Sequence, residues 1–131
     1  MSVPWSEIAS YYRCELDWKP SDEGFQRAFR SIGDLAAKID RTSVTNLLFG
    51  WTSVHDLCVQ DSDRLPYSGA YLRISPLSSG SVGFRYIDAA MPAIQWRRVV
   101  EASDATQQFV KFVDQINWID RQSASYLVQD S

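Results

Sequence analysis

Histidine occurs once, cysteine twice and lysine three times in this 131-residue chain, and each scarcity excludes something. A zinc site draws about four ligands from Cys, His or carboxylates, usually in close pairs. Two isolated cysteines, Cys14 and Cys58, and one histidine, His55, do not supply them, so no metal and no cofactor is expected. The two cysteines lie 44 positions apart, which permits one disulfide and demands none. No stretch approaches the ~18 consecutive apolar residues of a membrane span. The amino end carries no basic segment followed by an apolar run, so the cytoplasm is the expected compartment, with both thiols reduced. Basic residues are also in deficit, 13 against 16 acids for a net charge of −3. Phosphate backbones require a basic footprint, so nucleic acid is not an expected partner. Gly-x-Ser-x-Gly is missing, and Gly80-Ser81-Val82-Gly83 lacks the Lys-Ser/Thr that completes a phosphate loop. Internal repeats, low-complexity blocks and long linkers are likewise missing.

What the chain does hold is hydrophobic surface. The composition is 45% hydrophobic and 13% aromatic, with five Trp, six Tyr and six Phe, and rings in that number need packing partners. The length suits one domain over 1–131 with one core. Ten of the 13 cations are Arg, whose planar fork matches carboxylates and phosphates.

Periodicity then orders the elements. Trp5, Ile8, Tyr12 and Leu16 make one helical stripe, with Pro4 suited to the first turn. Phe25, Ala28, Phe29, Ile32, Leu35, Ala36 and Ile39 make a longer one, with Ser21 as its N-cap. The stretch 44–60 reads as two short strands around Gly50–Ser53, as one bent strand, or as a helical turn near Asn46. Ala70–Ser75 and Ser81–Ile87 alternate across turn residues and form a hairpin. Pairing Ser75 with Ser81 puts Ile74, Leu72 and Ala70 opposite Val82, Phe84 and Tyr86 on an apolar face. Ile94–Glu101 is a further strand, with Gln95, Arg97 and Glu101 on its polar face. Ser103 caps a last helix whose stripe runs Phe109, Phe112, Val113, Ile116 and Ile119, and the tail 121–131 frays. The order implies an α+β fold: a two-layer domain in which an antiparallel meander of about four strands is packed on one face by an N-terminal helical pair and a C-terminal helix.

Candidate chemistry is sparse. His55 is the one residue a histidine-dependent mechanism could use; on a strand it would share a face with Leu57 and Val59, as a hydrogen-bonded structural histidine would. Three positions along a strand put Cys58 on the opposite face, so the two do not form a nucleophilic pair. Arg73, Arg85 and Arg97 recur every twelve residues and fall on the non-core face of three successive strands, with Tyr71 beside Arg85. Such a row holds a carboxylate or phosphate, or an acidic partner, through bidentate bonds and stacking. The ordinary alternative is a wet sheet face on which Asp56 and Glu101 neutralise the cations. Trp118 lies opposite the last helix's buried stripe, covered by Tyr126 and Leu127 or by a partner. Trp51 lines a cleft with Tyr67 or packs in the core.

The expected role is therefore binding without catalysis: a protein–protein interaction or immunity-type accessory domain that uses Arg73, Arg85, Arg97, Tyr71 and Trp118. Two alternatives stand beside it. One is a protein for a small anionic ligand, or a cofactor-independent enzyme, with a pocket near His55. The other is a structural homodimer that buries its own sheet face.

Overall fold

In the computed structural model, which describes residues 3–15, 23–61, 70–88, 91, 93 and 95–129 and leaves the side chains of 14, 15, 128 and 129 aside, the two N-terminal stripes face each other. Helix α1 (Trp5–Glu15) buries Trp5, Ile8, Ala9 and Tyr12 against α2 (Glu23–Asp40), which buries Ala28, Phe29, Ile32, Leu35, Ala36 and Ile39. The Pro4 carbonyl accepts the first amides of α1, from Glu7 and Ile8. Leu16, Ser21 and the Cys14 thiol lie outside the described residues.

A 3-10 turn (Ser43–Asn46) leads to a five-stranded antiparallel meander in chain order: β1 (Phe49–Ser53), β2 (Asp56–Gln60), β3 (Tyr71–Pro76), β4 (Ser81–Ile87) and β5 (Trp96–Glu101). The stretch 44–60 thus supplies both the helical turn and two strands. Helices cover one face, where Leu57, Val59, Leu72, Ile74, Val82 and Phe84 join the helical stripes in the main core. Alternation along each strand does this sorting.

The β3–β4 hairpin keeps the expected faces with a register two residues away from the Ser75–Ser81 pairing: Ser75 meets Gly83, Ile74 meets Phe84 and Leu72 meets Tyr86. Just past the end of β3 the Leu77 amide donates to the Ser81 carbonyl at 3.0 Å, and the three residues between them close the loop. Gly80 makes this possible with φ +87°, the left-handed residue that such a loop needs. The loop also rests on α2, since a Cβ on Gly24 would fall 2.2 Å from the Ser78 carbonyl oxygen.

The C-terminal part departs further from expectation. Ser103 lies in a 3-10 turn (Ala102–Asp104), and α3 spans Ala105–Gln115 with no side-chain cap. It stops there because Asn117 takes φ +60°; its amide donates to Asp114 and that of Trp118 to Val113, the paired bonds that close a helix end. The polar tail then forms α4 (Arg121–Gln129), which buries Ala124 and Leu127 against the core. Asp120 initiates it: Oδ1 accepts the Ser123 amide at 2.7 Å and Oδ2 the Ser123 hydroxyl at 3.0 Å.

Candidate binding face of the sheet

One rung crosses the whole sheet. Trp51 stands opposite Cys58, Cys58 opposite Arg73, Arg73 opposite Arg85 and Arg85 opposite Arg97. Two successive antiparallel returns bring the chain to the same rung every twelve residues, so the sequence spacing becomes a straight line of three guanidiniums. All lie on the face turned away from the helices, because their strand neighbours Leu72, Ile74 and Phe84 fill the core.

The row is graded. Arg73 is half-buried; its Nε donates to Asp56 Oδ2 at 2.5 Å, and both side chains keep only about a fifth of their exposure (22% and 20%). Burial opposes its charge, yet the hydrogen bond it donates to Asp56, backed by Cys58 and Tyr71, holds its pKa above the usual value. Cys58, next along the rung, is fully buried, and burial pushes its thiol up to about 11, with Arg73 working against that shift, Asp56 with it and Arg85 against it. Arg85 and Arg97 are exposed, and no hydrogen bond or ion pair ties either to a described residue. Glu101 shares their face, with Val99 between it and Arg97, and it does not bridge to them. A hollow of about 240 Å3 opens where β4 ends and β5 begins, lined by Arg85, Ile87, Gln95, Trp96 and Arg97 among others.

Only part of this face is open. Trp51 and Tyr71, each 9% exposed, pack with Cys58, Val3 and Ile87 into a second apolar cluster on the arginine side. Their rings lie 5.5 Å apart. The expectation of an uncovered side therefore holds over β4 and β5 and fails over β1 to β3. Tyr71 stands opposite Ile87 instead of Arg85, and it is buried beside Arg73. Trp51 lies mid-strand, while Tyr67 is outside the described residues.

Trp118 does not join the row. With α3 ended, it lies in the turn before α4, half-buried, its ring 5.8 Å from Phe112 and 6.3 Å from Tyr86 on the helix side of the sheet. Leu127 is buried in the core and Tyr126 is exposed. His55 sits in the β1–β2 turn, not in a strand, its ring edge-on to Phe25 and Phe29 at 5.5 and 5.7 Å. Its carbonyl accepts from the Tyr12 hydroxyl. It lines neither the hollow above nor the two depressions along α2, of about 100 and 300 Å3. Among the described residues no group of three or more His, Cys, Asp or Glu could hold a metal ion, and no helix is long and apolar enough to cross a membrane.

Val99 is the residue that the sequence reading passed over. It is 58% exposed, on the arginine face, opposite Gly83. The signal was its place between Arg97 and Glu101, where alternation sets all three on the wet side. No protein-family model matches the chain, and neither the curated proteins nor the solved structures contain a match.

Proposed function

We propose that the protein is a non-catalytic binding protein that engages an acidic surface of another protein through the open β4–β5 part of its sheet. The observation that carries this reading is the pairing of Arg85 with Arg97, exposed, directly opposite and without a counter-ion among the described residues. Like charges placed opposite each other on a sheet cost stability. A partner carboxylate in the hollow between them removes that cost through charge-assisted bonds, while Val99 supplies apolar contact at its side. Arg73, already held by Asp56, anchors the row instead of binding. An accessory role of the immunity type, exercised in the cytoplasm by occluding a partner, is the finer form of the same proposal.

The hollow also supports a second reading, in which a free small anion sits between the two guanidiniums. The test is Arg85→Ala. Binding partners captured by the wild-type chain are identified and their affinities titrated against both forms, with small carboxylates and phosphate titrated in parallel. Loss of a protein partner with Arg85→Ala, at unchanged fold, supports the first reading. Saturable binding of the small anion alone, weakened by Arg85→Ala, moves the assignment to the second, and affinities for proteins and anions alike that Arg85→Ala leaves unchanged overturn both.

A further inference from the structure

Strand β5 closes the sheet, and among the described residues nothing pairs with its outer edge. The ladder shows which of its backbone groups face outward. The Leu77 amide donates to the Ser81 carbonyl and the Ala102 amide to the Gly80 carbonyl. Antiparallel pairs alternate between bonded and non-bonded, so Ser81, Gly83 and Arg85 turn their amides and carbonyls toward β3. Val82, Phe84 and Tyr86 turn theirs toward Val100, Arg98 and Trp96. Arg97, Val99 and Glu101 are left with N–H and C=O groups directed away from the sheet.

We propose that this edge pairs antiparallel with β5 of a second copy of the chain, Val99 meeting its twin on the twofold axis and Arg97 meeting Glu101 of the other copy. The window Arg97-Arg98-Val99-Val100-Glu101 is complementary to its own reverse in this register alone. Three outward-facing residues then meet three, every outward amide and carbonyl among them finds a partner, and two Arg–Glu contacts form on the arginine face. Placing Arg98 on the axis sets it against itself, and placing Arg97 there does the same. Moving the axis to Val100 puts Arg97 opposite Ser103, which has already left the strand. Two arginines on an edge ordinarily guard it against pairing; Glu101, four residues on, turns that guard into a selector of one register. The exposed Val99 is buried in the process, and the Arg98 stem lies over Val100 of the other copy.

A single six-residue edge is a small interface, so the dimer is expected to be weak and concentration-dependent. The inference shares Arg97 and Val99 with the partner reading above but does not rest on it, and Arg85, one strand in, takes no part in the pairing, so Arg85→Ala tells the two apart. Sedimentation over a concentration series tests it. The wild type should show a monomer–dimer equilibrium, R97E and E101R should each shift it to monomer, and the double variant R97E/E101R should restore it. Arg85→Ala should leave it unchanged. All these side chains are exposed, and circular dichroism confirms that each variant keeps its fold. A wild type that stays monomeric throughout, a dimer indifferent to either single swap, or a double variant that fails to recover overturns the proposal.

Discussion

Arg73 and Arg85 stand directly opposite each other across the β3–β4 ladder, and of the two only Arg73 has a counter-ion among the described residues, Asp56. Arg85 is thus flanked by guanidiniums on both sides, Arg73 and Arg97. Removing Arg85 and removing the carboxylate that holds Arg73 should therefore change stability with opposite signs.

Replacing Arg85 with Thr, a residue suited to an exposed strand, removes two like-charge contacts and should raise stability by roughly 0.5 kcal/mol. Replacing Asp56 with Ala leaves a half-buried guanidinium without its carboxylate and should cost about 1–3 kcal/mol. Urea denaturation of the two variants gives both numbers. A stabilised R85T that loses its partner would mark the row as a feature kept for binding at some expense to the fold.

Helix α4 offers a second test. Asp120 accepts the backbone amide of Ser123 first and its hydroxyl second, and these bonds hold its carboxyl below the usual range. A depressed carboxylate pKa contributes stability that is complete above the unfolded value and is lost as pH falls through the folded one. Amide exchange in Arg121–Gln129 should therefore stay slow on mild acidification and speed up only below the ordinary carboxylate range. D120A should show the fast exchange already at neutral pH, whereas D120N, which keeps an accepting oxygen, should stay close to wild type.

These elements differ in how legible they were. The helical stripes and strand faces could be read directly, because periods of 3.6 and 2 survive small errors of position. The hairpin register could not, since a shift of two residues preserves every face. Pro76 had suggested the turn, but it ends β3 opposite Val82, at a position without a ladder bond toward β4, where its missing amide costs nothing. The end of α3 was hidden because Ile116 and Ile119 continue the apolar spacing; only Asn117 in the left-handed region and Asp120 at a cap reveal the break. The arginine row was legible from its twelve-residue recurrence. Its partial roof was not, although Trp51 and Tyr71, two large rings on the nominally wet face, carried the hint.

Cys58 makes the alkaline limb of stability specific. Burial raises its thiol to about 11, above the ~8.5 of an exposed cysteine. The sign follows from proton binding: the folded chain holds the proton more tightly, so the contribution is complete below ~8.5 and fades as pH climbs toward the folded value. The stability gap between wild type and C58A should narrow over that interval. At neutral pH the native thiol is protonated and sealed, so alkylation of Cys58, located by peptide mapping, should proceed at the rate of opening and accelerate in urea as the protein unfolds.

The β1–β2 turn holds an avoidable strain. Val54 adopts φ +59°, a region that costs an L-residue about 1–2 kcal/mol and suits a β-branched side chain least of all. The turn is fixed from below, where the Tyr11 hydroxyl donates to the Val54 carbonyl at 2.6 Å and the Tyr12 hydroxyl to the His55 carbonyl at 3.1 Å. Both bonds engage backbone atoms, and the valine side chain is 79% exposed, so little packing is lost when it is changed. Val54→Asn, which tolerates this conformation, should stabilise the protein by about 1 kcal/mol. Y11F should lower stability by a similar amount, because it releases the clamp and leaves the strained turn in place. Thermal denaturation of the two single variants and the double would show whether the clamp opposes the strain. If it does, Y11F should cost less in the Val54→Asn background than in the wild type, and equal costs would mean that the turn is held by its strands alone.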